Sequence, residues 1–130
     1  MNNFEYFNPK KTMKLFHMKD EFIFFKELMI KENFPKIILL SGDKGLGKST
    51  LLNHLLHYYF NPKNYDLTKN YILQEDAFFK KYNDNSFSNI LYLNNEDIKN
   101  IKIDDIRKLK NNLSKTSIYN AKRFIVLDDV

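Results

Sequence analysis

Apolar positions in this chain recur at two spacings, and the spacing predicts the elements. From Asp20 to Lys31, Phe22, Phe25, Leu28 and Met29 fall three or four residues apart and share one face of a helix. Asn33-Phe34-Pro35 ends that helix, because the residue before a proline avoids the helical region. The run at 36–40 lies between Pro35 and Gly42 and suits a strand buried on both faces, as in a parallel sheet. After a glycine loop at 42–47, Leu51, Leu52, Leu55, Leu56, Tyr59 and Phe60 trace a helical stripe that Asn61-Pro62 stops. Tyr71 to Tyr82 is expected to be a helix and Asn83-Asp84-Asn85-Ser86 a loop. Ile90 to Leu93 is a second short strand. Ile103, Ile106, Leu109 or Lys110, and Leu113 fit a helix over about 103–115, and Arg123 to Leu127 is a third strand.

Helix, strand, loop, helix, strand, helix, strand is the order of an α/β fold with a parallel sheet. There is no internal repeat and no linker, so residues 1–130 are expected to form one domain. Residues 1–18 form a polar, aromatic extension broken by Pro9, and 19–130 form the core. Length allows a core, since a compact chain of 130 residues buries roughly two-thirds of its unfolded surface.

Composition removes several classes. At 43% hydrophobic and 15% aromatic the chain is no disordered tail. The longest apolar runs, such as Phe22 to Phe25 and Ile37 to Leu40, are too short for a membrane span or a signal-peptide core. The absence of Cys excludes a disulfide scaffold, thiolate-ligated zinc and Cys catalysis. Residues 1–18 lack Arg and contain Glu5, a poor match to a transit peptide. The net charge is +5, and 19 of the 21 basic residues are Lys. Asn, Ile, Phe and Tyr are also abundant. All have A/T-rich codons, so the charge reads as coding bias rather than a nucleic-acid patch, and zinc-finger, RNA-recognition and bZIP signatures are absent.

The chemistry concentrates at Gly42-Asp43-Lys44-Gly45-Leu46-Gly47-Lys48-Ser49, which matches the phosphate-binding loop G-x-x-x-x-G-K-[ST]. Its glycines let successive backbone N–H groups turn inward towards phosphate oxygens. Lys48 brings an ammonium to the β- and γ-phosphates, Ser49 offers a hydroxyl to Mg²⁺, and Thr50 reaches a nearby phosphate oxygen. The helix that starts here adds its positive end. All three glycines of the chain lie on this loop. Asp43 departs from the expected chemistry, since an acid beside phosphates is unhelpful unless it points outward.

Phe124-Ile125-Val126-Leu127-Asp128-Asp129 is an apolar strand ending in acids, the Walker B pattern, about 80 residues after Lys48. Asp128 is expected to hold Mg²⁺, often through water. In many ATPases with this pattern a Glu follows and polarises the attacking water; here Asp129 stands in that place, one methylene shorter, so slow or absent hydrolysis is expected to be open. An Asn-Lys-x-Asp guanine contact and a Ser-Gly-Gly-Gln signature are both absent. Arg107 and Arg123 are the only arginines, few for a small-molecule kinase. His54 and His57 lie off the apolar stripe and are expected, with His17, to be surface residues.

Four segments resemble the N-terminal AAA+ module of bacterial clamp-loader subunits of DNA polymerase III, most of all the delta-prime branch. Leu15-Phe16-His17 with the helix at 20–31 is similar to the family's opening segment, usually Leu-Phe-Gly-His. Ile38 through Thr50 is similar to its Walker A segment. Ile101-Lys102-Ile103-Asp104-Asp105-Ile106-Arg107-Lys108-Leu109 is similar to its Ile-x-Ile-x-x-Ile-Arg-x-Leu helix, and Lys122 to Asp129 to its Walker B strand. The third is the most discriminating, because phosphate-binding loops in general do not require it.

The resemblance implies a three-layer P-loop sandwich and a cytoplasmic, ATP- and Mg²⁺-binding subunit of a hetero-oligomer. That assembly opens the sliding clamp and closes it on primed DNA, which this subunit would meet only indirectly, and no membrane is involved. Delta-prime is usually a rigid and catalytically weak partner, which agrees with Asp129. Many relatives carry a Cys-rich zinc insertion that a chain without Cys excludes. The sequence stops at Val130, before the segments that carry sensor 1, the arginine finger, sensor 2 and the collar. The sensor 1 strand would lie between the strands at 36–40 and 123–127. The chain is therefore expected to be incomplete after Walker B and poorly stable alone, with unpaired backbone groups at roughly 1–3 kcal/mol each. Two other readings remain: another P-loop enzyme, such as a nucleoside kinase or a DNA-repair ATPase, and a structural subunit with no nucleotide.

Overall fold

A helix starts and stops where side chains and caps let it, and α1 (Lys19–Ile30) follows its sequence closely. Asp20 and Glu21 occupy the first turn, where negative charge favours the helix dipole. Phe22 and Met29 are buried and Phe25 and Leu28 half-buried, the face expected from their spacing. The computed structural model describes residues 11–31, 35, 37–41, 47–93, 99–100, 102–114 and 122–128. The chain divides into two compact units, Met1–Phe79 and Lys80–Val130.

In the first unit α1 packs against α2 (Lys48–Phe60). A one-turn 3-10 helix at Pro62–Asn64 leads into an antiparallel hairpin, β1 (Tyr65–Asp66) and β2 (Tyr71–Ile72), in the register Tyr65↔Ile72 and Asp66↔Tyr71. Asp66 builds the turn: its Oδ1 accepts from the N–H groups of Thr68 (2.9 Å) and Lys69 (3.1 Å). Asn70 closes it in the left-handed region at φ 49°. The segment before α1 adds to this hairpin, with Lys14 bridging Tyr71, Ile72 donating to the Met13 carbonyl (2.8 Å) and Leu15 to that of Asn70 (3.0 Å). His17 has φ 61°, in the left-handed region that non-glycine residues rarely adopt. Phe22, Leu51, Leu55, Leu56, Tyr65 and Ile72 are buried in this unit.

The helix expected from Tyr71 to Tyr82 is shorter than its pattern. Tyr71 and Ile72 pair in the hairpin, residues 73–76 are irregular, and α3 covers only Ala77–Asn83. Asp76 sets that start by accepting from the Phe79 N–H (3.1 Å), an N-cap geometry. A second expectation fails outright. Residues 37–41 form no strand, and Ile37 and Leu39 are 88% and 84% exposed. Among the described residues no strand pairs with this run, and β-branched composition without a partner ladder is a preference, not a structure.

In the second unit β3 (Ile90–Leu93) and β4 (Phe124–Leu127) pair in parallel, Ile90 opposite Phe124 through Leu93 opposite Leu127. Ile90 and Val126 are buried on one face with Tyr92 and Phe124 half-buried beside them. Leu91, Ile125 and Leu127 lie on the more exposed face, the period of two expected of strands. α4 (Ile103–Ser114) matches its expected span. Its start is fixed by a reach-back cap, the Lys102 N–H donating to Asp105 Oδ2 (3.0 Å). Among the described residues the architecture is thus a small α/β fold with one short parallel and one short antiparallel sheet.

Candidate functional site

α2 begins on a glycine in the left-handed region. Gly47 is its N-cap at φ 89°, and the Leu51 N–H closes the first turn on the Gly47 carbonyl (2.9 Å). Lys48, Ser49 and Thr50 are therefore the first three helical residues, as the motif requires, and all three are half-buried. N–H groups in a first turn have no carbonyl one turn back within the helix, and the aligned peptide dipoles leave partial positive charge there. That is a setting for an anion. Gly42, Asp43, Lys44, Gly45 and Leu46 lie outside the described residues.

The Gly47 conformation makes a direct prediction. A Cβ there would sit 3.4 Å from the Met18 sulfur, a contact the flexible thioether can absorb. The cost of Gly47→Ala comes from the backbone instead, about 1–2 kcal/mol for an L side chain held in the left-handed region. Urea midpoints of the two chains would measure it; an unchanged midpoint would mean that the loop leaves this conformation freely.

Behind this turn, α2 carries two histidines into the interior. The expectation that His54 and His57 lie on the surface is wrong: they are 0% and 1% exposed. α2 is covered on more sides than its apolar stripe indicates, so polar positions are enclosed as well. His54 Nε2 lies 2.9 Å from the Thr12 carbonyl, which can only accept, so Nε2 carries the proton. Nδ1 then accepts from the Tyr65 hydroxyl at 2.8 Å. His57 packs edge-on against Phe78, ring centroids 4.9 Å apart. Burial lowers the pKa of His54 to about 4, against a smaller opposing effect of the Thr12 carbonyl. His57 is also lowered to about 4, first by burial and then by His54, with Asp76 opposing. Both rings are neutral near pH 7.

In the second unit Asp128 directly follows β4 and is half-buried. Its N–H extends the ladder to the Leu93 carbonyl (2.8 Å), and its Oδ2 accepts a hydrogen bond from the Tyr92 hydroxyl. Tyr82, 1% exposed on α3, feels both groups. Burial pushes its hydroxyl well above the usual range, and Tyr92 and Asp128 add to the shift. Sequence reasoning missed Tyr92, because its place beside the acid depends on the pairing register of β3 and β4, which no local pattern reports. Arg123 is half-buried just before β4 and Arg107 is exposed on α4; Asp129 lies outside the described residues. Lys48, Ser49 and Thr50 belong to the first unit and Asp128 to the second. Among the described residues no cluster of His, Asp and Glu could hold a metal by itself. No helix among them is long and apolar enough to cross a membrane.

The described residues thus form a small α/β fold with a Lys-Ser-Thr helix start and an acid directly after a parallel strand. Residues 18–130 match the family model described as DNA polymerase III, delta subunit. The chain belongs to that family, a component of the clamp loader in DNA replication. No curated protein and no solved structure matches it.

Proposed function

We propose that the chain is an ATP-binding clamp-loader subunit of the delta-prime kind, working in the cytoplasm with the other clamp-loader subunits on the sliding clamp and, through them, on primed DNA. The observation that carries the nucleotide part is the left-handed Gly47 at the start of α2, with Lys48, Ser49 and Thr50 in the first turn. On this reading residues 42–50 are the nucleotide-binding residues, with Lys48 supplying positive charge. Ser49 in the first unit and Asp128 in the second are each candidates to meet Mg²⁺. A hydroxyl and a carboxylate are hard oxygen donors of the sort that this ion takes while keeping several waters, and Asp128 stands half-buried at the end of a strand. Mg²⁺ would neutralise charge on the β- and γ-phosphates. Asp129, where a longer Glu is usual, is the candidate for positioning water, and its short reach favours binding over fast hydrolysis. The fuller fold in this reading is the three-layer AAA+ sandwich.

Assembly tests the subunit assignment. Mixed with the remaining clamp-loader subunits of its source, the chain should co-elute with them in place of delta-prime. Co-elution only in place of delta, or failure to join at all, would refute the delta-prime assignment.

A further inference from the structure

Two groups of β3 hold Asp128. The Leu93 carbonyl accepts from its backbone N–H at 2.8 Å, and the Tyr92 hydroxyl donates to its side chain at Oδ2. The register explains the pairing. Tyr92 stands opposite Val126, and the next position on that face of β4 is Asp128. We propose that Tyr92 is a positioning residue that sets the orientation of the Asp128 carboxylate towards Mg²⁺, an inference that rests on the nucleotide reading above.

The chemistry of the donor suits the task. A carboxylate at a strand end turns about two side-chain torsions, and a donor fixed on the neighbouring strand selects one orientation. A phenol does so without adding a positive charge that would neutralise the acid and compete with a cation. Its ring is rigid, and the face it shares with Ile90 and Val126 is the buried one. Partners that orient a metal ligand in this manner are worth about 10- to 100-fold in metal affinity.

The test uses the full chain and a fluorescent ATP analogue, first in EDTA and then titrated with MgCl₂. Tyr92→Phe keeps the ring and deletes the donor. It should leave binding in EDTA unchanged and raise the Mg²⁺ concentration for half-maximal effect by about tenfold. In a double-variant cycle it should add little to Asp128→Asn, because the two act through one carboxylate. A wild-type Mg²⁺ curve for Tyr92→Phe overturns the proposal, as does an effect that persists in full on top of Asp128→Asn. Equal loss with and without Mg²⁺ marks a packing role and overturns it too. If the wild-type chain shows no Mg²⁺-dependent binding, the nucleotide reading falls and Tyr92's role falls with it. A Mg²⁺-dependent wild type beside an unaffected variant removes the role of Tyr92 alone.

Discussion

Lowering the pH from 7.5 to 5 should destabilise the first unit by on the order of 4 kcal/mol, from His54 and His57 together. Both have folded pKa values near 4 against an ordinary 6.5. Well above pH 6.5 each ring is neutral in the folded and the unfolded chain, and almost no proton difference exists. As the pH falls below 6.5 the unfolded chain takes up protons first, so stability declines through the window from 6.5 to 4 and levels off below it. Each histidine contributes about 2 kcal/mol by pH 5. Such a loss is a large fraction of the 5–15 kcal/mol typical of a folded domain. The physical cause is the enclosure of both rings: charging His54 puts an ion among Thr12, Tyr65 and α2, and charging His57 puts one against Phe78 and Phe79. Urea midpoints at pH 7.5, 6 and 5 measure the decline. His57→Phe should remove about half of it; a midpoint that is flat with pH would show that the histidines reach water in solution.

Phe22→Ala should cost about 3–5 kcal/mol, the range for truncating a buried aromatic ring. Phe22 is 1% exposed and stacks on Tyr65, centroids 5.5 Å apart and planes 14° from parallel. Tyr58 meets both rings edge-on at 6.1 Å, which closes a three-ring cluster between α1, α2 and β1. The cavity would also loosen Tyr65, whose hydroxyl donates to Nδ1 of His54. The pH dependence should therefore weaken in the same variant, an expectation that simple loss of area does not make. Phe22→Leu, which keeps most of the volume, should cost less. A loss below about 1 kcal/mol for Phe22→Ala, well under that range, would show that the cluster collapses around the gap.

Helix faces were the most legible part of this chain. Phe22 and Met29 in α1 and the stripe on α2 follow from spacing alone, and α4, β3 and β4 lie within a residue or two of their expected ends. What failed depended on long-range partners. Tyr71 and Ile72 fit a helical pattern but join β1 because Asp66 and Asn70 make a tight turn. Local spacing does not report that pairing. Residues 37–41 carry strand composition, but among the described residues no strand pairs with them. His54 and His57 were misplaced because polarity predicts exposure only when nothing else encloses the helix. At the candidate site, Lys48, Ser49 and Thr50 were readable from one motif, whereas Tyr92 needed the register of two strands far apart in sequence.

Calorimetric titration of the full chain with Mg·ATP should show whether the segment leading into α2 binds nucleotide. Saturable binding is expected for the wild type, with at least about a tenfold loss in Lys48→Ala, the scale expected for removing a charged hydrogen-bond partner. Equal binding by the two chains, or none by either, would contradict nucleotide binding there.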